Sequence, residues 1–297
     1  MITGKAMCSQ GALSGGAVAG ATYAAGDGGS GWLAGRRAEA RRRLLQSIDG
    51  KLSRVLRPAE RVVFACKGSL ASRAERFFAG HAVAYHVNLR ALVFTTERVI
   101  LMQISTGLKP RGLVSELPYA LIRGVRSTWS GFLEVRLGNG HTHRFSGVPR
   151  AERKFLEGVV MDAAAGSSAS VEMEADADGL VHGCPHCFAA VPGWPVKCPV
   201  CGGRIKSAGV AMVLSALFPG AGDVYLRHYG FAVVEMLGAG LLWWVLVGQP
   251  VRDEIIHRDG DPLGAGFWMF VLSVMAAVHV VAATITWSFA RKGHHPG

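Results

Sequence analysis

Two C-x2-C pairs, Cys184-Pro-His-Cys187 and Cys198-Pro-Val-Cys201, separated by ten residues, carry the clearest chemistry in this 297-residue chain. Each pair can place two thiolates on one ion through a tight turn. Four thiolates make the tetrahedral set that Zn²⁺ takes in structural sites. An iron site and a pair of disulfides are the alternatives. Four sulfurs leave no open position for water or substrate, so the expected contribution is to folding and not to hydrolysis. Cys201-Gly202-Gly203 provides the chain freedom a knuckle turn needs, and Pro185 and Pro199 fix its entry. His186, inside the first pair, and His182, just before it, are read as bystanders because four thiolates suffice.

A second chemistry is that of ionisable groups in apolar surroundings. Gly230 to Gly248 has Glu235 as its only charge, and Ala265 to Ala290 has none but includes His279. About 20 apolar residues cross a hydrocarbon core, so both stretches qualify as transmembrane helices, which makes Glu235 and His279 functional candidates. Counted along the helices they lie at different depths, which argues against a direct relay between them. Glu235 is expected to reach the interface or to pair with Arg227 or His228. His141 and His143, two residues apart on a strand, and the terminal His294 and His295 read as a hairpin surface and a solvated tail. No P-loop, GxSxG elbow or HExxH is present, and the N-terminal glycines follow no strand, so the chain is read as a non-enzyme.

These groups need elements to position them. Hydrophobic residues make up 50%, with 39 glycines and a mean hydropathy of +0.27, more apolar than an ordinary soluble domain needs. The formal net charge of +11 points to anionic partners. Six cysteines, four of them in tight pairs, suit a metal in a reducing compartment better than a disulfide scaffold. Residues 1–35, rich in Gly, Ala and Ser, are read as disordered; Gly15, Gly16 and Gly20 interrupt what would otherwise be a signal-peptide core. Residues 36–57 repeat Leu44, Ile48, Leu52 and Leu56 at helical spacing, and from Arg36 to Arg61 nine basic residues face three acidic ones, a net of +6. This basic amphipathic helix, with Arg41, Arg42 and Arg43, either lies on an anionic bilayer or docks its Leu stripe on the next domain.

From 59 to 162 the period changes to two. Val62 to Cys66, Ala82 to Val87, Ala91 to Thr95, Val99 to Ile104, Leu113 to Leu117 and Ile122 to Ser127 read as strands. A hairpin follows, with Leu133 to Leu137 turning at Asn139-Gly140 and returning over Thr142 to Phe145, and then a helix after Pro149. The fold class is multidomain α+β: a small antiparallel barrel or sandwich capped by a helix, then the cysteine ribbon and a transmembrane helical hairpin. An acidic linker occupies 163–180, the ribbon 181–206, an interfacial or re-entrant segment 207–229, transmembrane helices 230–249 and 265–290, and a tail 291–297. The positive-inside rule sets Arg204, Lys206, Arg227, Arg291 and Lys292 against Arg252 and Arg258, placing both termini in the cytoplasm and the protein in the inner membrane.

Three resemblances arise at particular residues. Leu92-Val93-Phe94-Thr95-Thr96-Glu97-Arg98-Val99-Ile100-Leu101, then Leu117-Pro118-Tyr119 through Ile122 and Val125, resembles the strands of bacterial pleckstrin-homology-like domains. That resemblance implies a binding module without catalysis; Lys67, Arg73 and Arg76 hold the place of a basic lipid-binding loop. The cysteine pairs resemble a short CPxCG zinc ribbon. Leu214 to Leu226, with Pro219, Gly220, Gly222 and Tyr225, resembles the signature of small bacterial two-helix membrane domains, departing from it at Asp223 and Arg227. The expectation is a membrane adaptor whose β domain binds a protein partner or anionic lipid headgroups, with a second copy of the chain, in a homo-oligomer, among its candidate partners. The alternatives are a small transporter or channel subunit and a nucleic-acid tether. Lys197, Arg204 and Lys206 near the ribbon lack interleaved aromatics, so nucleic acid is not expected.

Overall fold

The computed structural model describes residues 32–78, 80–166, 178–251, 265–293 and 295–297. The expectations for 1–31, for most of the acidic linker and for the loop with Arg252 and Arg258 lie outside these residues. The described chain is mixed α+β with two sheets. Helix α1 (Trp32–Val55) begins within the stretch expected to be disordered. Strand β1 (Val62–Ser69) precedes short helices α2 (Arg73–Phe78) and α3 (His81–Val87). Strands β2 (Leu89–Thr95), β3 (Arg98–Ile104) and β4 (Pro110–Pro118) complete an antiparallel meander. Strands β5 (Ile122–Ser127), β6 (Leu133–Leu137) and β7 (Thr142–Phe145) form a second sheet, and α4 (Arg150–Gly166) follows.

One core lies between the sheets and α4. Phe64, Leu92, Leu101 and Leu117 meet Val125, Leu133, Val135 and Phe145, with Leu156 and Val160 closing the end. The outer face of the first sheet is covered by α1, whose Leu44, Ile48 and Leu52 pack on Ala91, Val93, Ile100 and Met102. Strands β2 and β3 are therefore buried on both faces, which is why they read as continuous apolar runs and not as alternation. This settles the alternatives for the basic helix: its Leu stripe docks on the domain. The β2–β3 turn is held by a buried charge cluster. Arg98 Nη2 pairs with Glu60 at 2.9 Å and donates to the Val55 carbonyl at 2.9 Å, and its Nη1 meets Glu116. Thr95 Oγ1 donates to Glu60 Oε1 at 2.6 Å, and the Tyr119 hydroxyl donates to the Thr95 carbonyl at 2.8 Å.

Three expectations are corrected. Ala82 to Val87 is helical: Val83 and Val87, four residues apart and so on one helical face, both pack against the apolar cluster that includes Leu226, Phe231 and Phe289. The linker starts later than 163, because α4 continues to Gly166. The ribbon's first residues extend the meander: β8 (Val181–Gly183) pairs with β4 as its fifth strand, with Ser115 opposite His182.

The C-terminal unit contains α5 (Ala208–Leu217), α6 (Ala221–Tyr225), α7 (Tyr229–Trp243, continued by a π-helical turn over Trp244–Gly248) and α8 (Ala265–Ala290). Tyr229–Val251 and Ala265–Ala290, 23 and 26 residues long, are long and apolar enough to cross a membrane. Helix α5 is too short for that and packs along α8. The chain turns between α5 and α6 at Gly220 with φ 90°. A Cβ on Gly222 would stand 2.1 Å from the Ala211 carbonyl and 2.7 Å from Thr286 Cγ2. The Pro-Gly-Ala-Gly run is thus where backbones cross at contact.

The last residues are not a solvated tail. Lys292 Nζ donates to the Leu70 carbonyl at 2.6 Å and Asn88 Oδ1 at 2.8 Å and pairs with Glu75, which also accepts from Ser288 Oγ at 2.7 Å. His295 is 4% exposed, its carbonyl accepts from the Lys206 amide, and the Gly297 amide donates to the Arg204 carbonyl. Burial pulls the Lys292 ammonium down to about 8, opposed by Glu75, so it remains charged at neutral pH. Removing one partner of a buried pair costs about 3–5 kcal/mol. Lys292→Met should therefore lower the melting temperature of the full chain sharply, and adding Glu75→Gln should recover part of the loss. An unchanged melting temperature in the single variant would mean that the pair adds nothing to stability.

Candidate metal centre and basic cavity

The four cysteines converge. Cys184 and Cys201 Sγ are 3.7 Å apart, Cys187 and Cys198 Sγ 3.8 Å, and all four sulfurs lie within 4.8 Å of one another. Metal–sulfur bonds of about 2.3 Å in a tetrahedron give edges of about 3.8 Å. The cross-pair spacings match that figure and far exceed the ~2.05 Å of a disulfide. Two knuckles build the site. Phe188 returns its amide to the Cys184 carbonyl and Gly202 its amide to the Cys198 carbonyl, with φ 62° and 70° at the two turning residues. The His186 and Gly203 amides each lie 3.4 Å from a sulfur, of Cys184 and Cys201, as outer partners of thiolates. Cys184 and Cys198 are buried with Val191 and Ile205, so a bound ion would close a small core. The histidines are engaged elsewhere: His182 Nδ1 is 2.8 Å from Ser115 Oγ and His186 Nε2 is 3.1 Å from the Arg204 carbonyl.

The basic residues singled out from the sequence do not form one surface. Arg41 is turned inward, pairing with Glu152 at 3.3 Å and lying 4.1 Å over the Phe64 ring. Arg42 and Arg43 are exposed and both pair with Glu39 on their own helix. Lys67 borders two clefts beside α1, of about 120 and 780 Å³, the larger shared with Arg43, whereas Arg76 lines a separate cavity. The Arg73 side chain lies outside the described residues.

Glu235 and His279 also part company. His279 Nδ1 sits 2.6 Å from the Ala216 carbonyl, and its ring stacks on Trp243 at 5.5 Å. Ala216 is in the last turn of α5, where carbonyls lack helical partners, so His279 fits as a C-terminal cap in apolar surroundings. Glu235 meets neither Arg227 nor His228. Its carboxyl lies against the Gly220 amide and Asp223. Asp223, fully buried, accepts from Thr286 Oγ1 at 2.6 Å and lies 3.2 Å from His228 Nδ1; Thr286 in turn meets Ser215 Oγ at 2.8 Å. Sequence reasoning noted Asp223 only as a departure from a resemblance. Thr286, one of two threonines in the apolar α8, is its partner.

Sequence reasoning also missed the cavity that Arg76 lines. It measures about 620 Å³ and lies where α2, the β6–β7 hairpin, β8, the ribbon and the end of α8 meet. His143 is on its wall, 4% exposed, hydrogen-bonded through Nε2 to the Asp178 carbonyl at 2.8 Å, and so is not a surface residue. Burial pushes His143 down to about 4, opposed by Asp178.

A scan against protein-family models and searches of curated proteins and of solved structures return no match. The purified full chain should contain about one metal ion per chain, read by mass spectrometry, and Cys198→Ser should abolish that content and lower the melting temperature. Metal content equal to the parent would exclude Cys198 as a ligand. His143 remains neutral in the folded chain down to about pH 4, while its unfolded form takes a proton near 6.5. Stability should thus fall as pH drops from 6.5 to 4, by about 3 kcal/mol from this group, and His143→Gln should flatten that slope. An unaltered slope in the variant would assign it to other groups.

Proposed function

We propose that this chain is a non-enzymatic adaptor of the cytoplasmic membrane. A pleckstrin-homology-like β domain, with its two sheets closing toward a barrel, is held at the cytoplasmic face by α7 and α8 and reads the anionic leaflet there. The observation that carries this reading is the junction at Lys292. It fixes the β domain to the end of the apolar helix α8 through Glu75, Asn88 and the Leu70 carbonyl. A module held that way presents the same face to the bilayer at all times. The distribution of Lys and Arg supports a cytoplasmic position for this end, since Arg204, Lys206, Arg227, Arg291 and Lys292 flank it.

In the four-cysteine centre we propose structural Zn²⁺. Four thiolates with no further ligand suit a d¹⁰ ion without a geometric demand of its own, and a reducing cytoplasm keeps the thiols available. The ion would hold the ribbon folded against β4 and thereby complete the sheet edge.

Reconstituted into bilayers containing phosphatidylglycerol, the full chain should melt at a higher temperature than in phosphatidylcholine bilayers. The difference should shrink with added salt, as expected for contacts between basic side chains and an anionic surface. Equal melting temperatures would overturn the lipid reading and redirect it to a protein partner.

A further inference from the structure

The cavity at the end of α8 has the chemistry of an anion site. Arg291 lies 4.8 Å from the Trp287 ring centroid and 5.8 Å from that of Trp194, and no carboxylate among the described residues pairs with it. Stacking on rings occupies the face of a guanidinium and leaves its N–H edge to donate. Arg76, 4.5 Å over the Phe132 ring, and Arg144, paired at 2.8 Å with Glu134, add two more guanidinium groups to the same wall. Lys292 is paired with Glu75 and Arg144 with Glu134, so it is Arg291 that brings to the cavity a guanidinium without a carboxylate pair among the described residues, and Asp178 is the one carboxylate among the lining residues.

Behind the wall stands Arg90, 1% exposed. Its Nη2 donates to the Lys292 carbonyl at 2.8 Å, while its Nε and Nη1 are buried without a hydrogen-bond partner among the described residues. With no carboxylate hydrogen-bonded to it, and only Asp178 and Glu75 opposing it at longer range, this guanidinium adds positive charge behind the wall. Trp287 lies in the last turn of α8 and Arg291 directly follows the helix, where an aromatic ring followed by a cation marks the headgroup level of a spanning helix. The volume, about 620 Å³, exceeds what a bare phosphate fills and suits a headgroup with part of its glycerol and chains.

We propose that this cavity binds a phosphate-bearing anion, with Arg291, Arg144 and Arg76 as its donors, and that its source is the headgroup of an anionic phospholipid. The proposal rests on the lipid reading given above and locates it. It moves the contact away from Lys67 and the basic helix to a site shared by the β domain, the ribbon and α8. The lipid would thereby bridge the three parts that the Lys292 junction already holds together.

The test uses the full chain in a neutral detergent, titrated with phosphatidylglycerol, phosphatidylcholine and inorganic phosphate, with bound molecules counted by native mass spectrometry. The expected result is a preference for phosphatidylglycerol that falls about fivefold in Arg291→Gln, similarly in Arg144→Gln, and multiplicatively in the double variant. Arg61→Gln, an exposed arginine elsewhere on the domain, should leave it unchanged. Unaltered metal content and melting temperature certify that the variants fold. If inorganic phosphate at millimolar concentration competes at the same residues and phosphatidylglycerol shows no preference, the anion site stands with a soluble source and the lipid assignment falls. A phosphatidylglycerol preference that survives the double variant overturns the site while leaving the lipid reading intact. Absence of binding by any of the three overturns both.

Discussion

A buried ammonium ion at the end of an apolar helix organises this protein. Lys292 must find acceptors because an unpartnered charge out of water costs several kcal/mol, and it finds them on three separate elements: Leu70 after β1, Glu75 on α2 and Asn88 after α3. Those elements have few other reasons to stay where they are. Helices α2 and α3 are six and seven residues long, too short to be stable by themselves. Ser72 gives α2 a reciprocal cap, its hydroxyl accepting from the Glu75 amide and its own amide donating to the Glu75 carboxylate. The same Glu75 carboxylate therefore starts a helix, receives Ser288 and balances Lys292. Position, local structure and charge compensation depend on one another, and the joint between the β domain and the helical unit is cooperative as a result.

The cysteine centre acts at the opposite edge of the same assembly. A ribbon of this size has too small an apolar core to fold unaided, and Val191 and Ile205 are nearly all it buries beyond the sulfurs. It leans instead on β4 through β8 and on the chain end through Lys206 and His295. The ribbon, the sheet and the C-terminus thus form one continuous set of backbone hydrogen bonds. Trp194 on the ribbon and Trp287 on α8 reach the same guanidinium of Arg291, which is how an element stabilised by thiolates comes to shape a cavity more than a knuckle's width away.

Features carried by short spacing were legible in the sequence. Two C-x2-C pairs ten residues apart converge because each turn is local, and the Asn139-Gly140 hairpin forms with Gly140 at φ 82° as its turn chemistry requires. The Leu44, Ile48 and Leu52 stripe predicted a helix, and the two long apolar runs predicted helices of spanning length. What was not legible depends on distant partners. Nothing near Lys292 in the chain announces Glu75, and the short run around Val83 has equal claims to strand and helix until the apolar cluster of the helical unit stands beside it. His279 seemed available for chemistry in an apolar helix; its partner is a carbonyl of α5, visible only once α5 lies along α8.

The fate of the basic helix shows why composition misdirects in such a chain. Its net charge of +6 invites a picture of arginines resting on an anionic surface, yet docking the Leu stripe turns Arg41 into the core region against Glu152 and leaves Arg42 and Arg43 sharing Glu39. Exposed intrahelical pairs of this kind contribute only about 0.3–0.5 kcal/mol, so they order the helix surface more than they stabilise it. What distinguishes a cation able to select an anion is not the number of arginines around it but whether its own N–H edge is left without a carboxylate. By that measure the ring-stacked Arg291 differs from Arg41, Arg42 and Arg43, each of which has a carboxylate partner, and the long basic segment serves to cover a sheet.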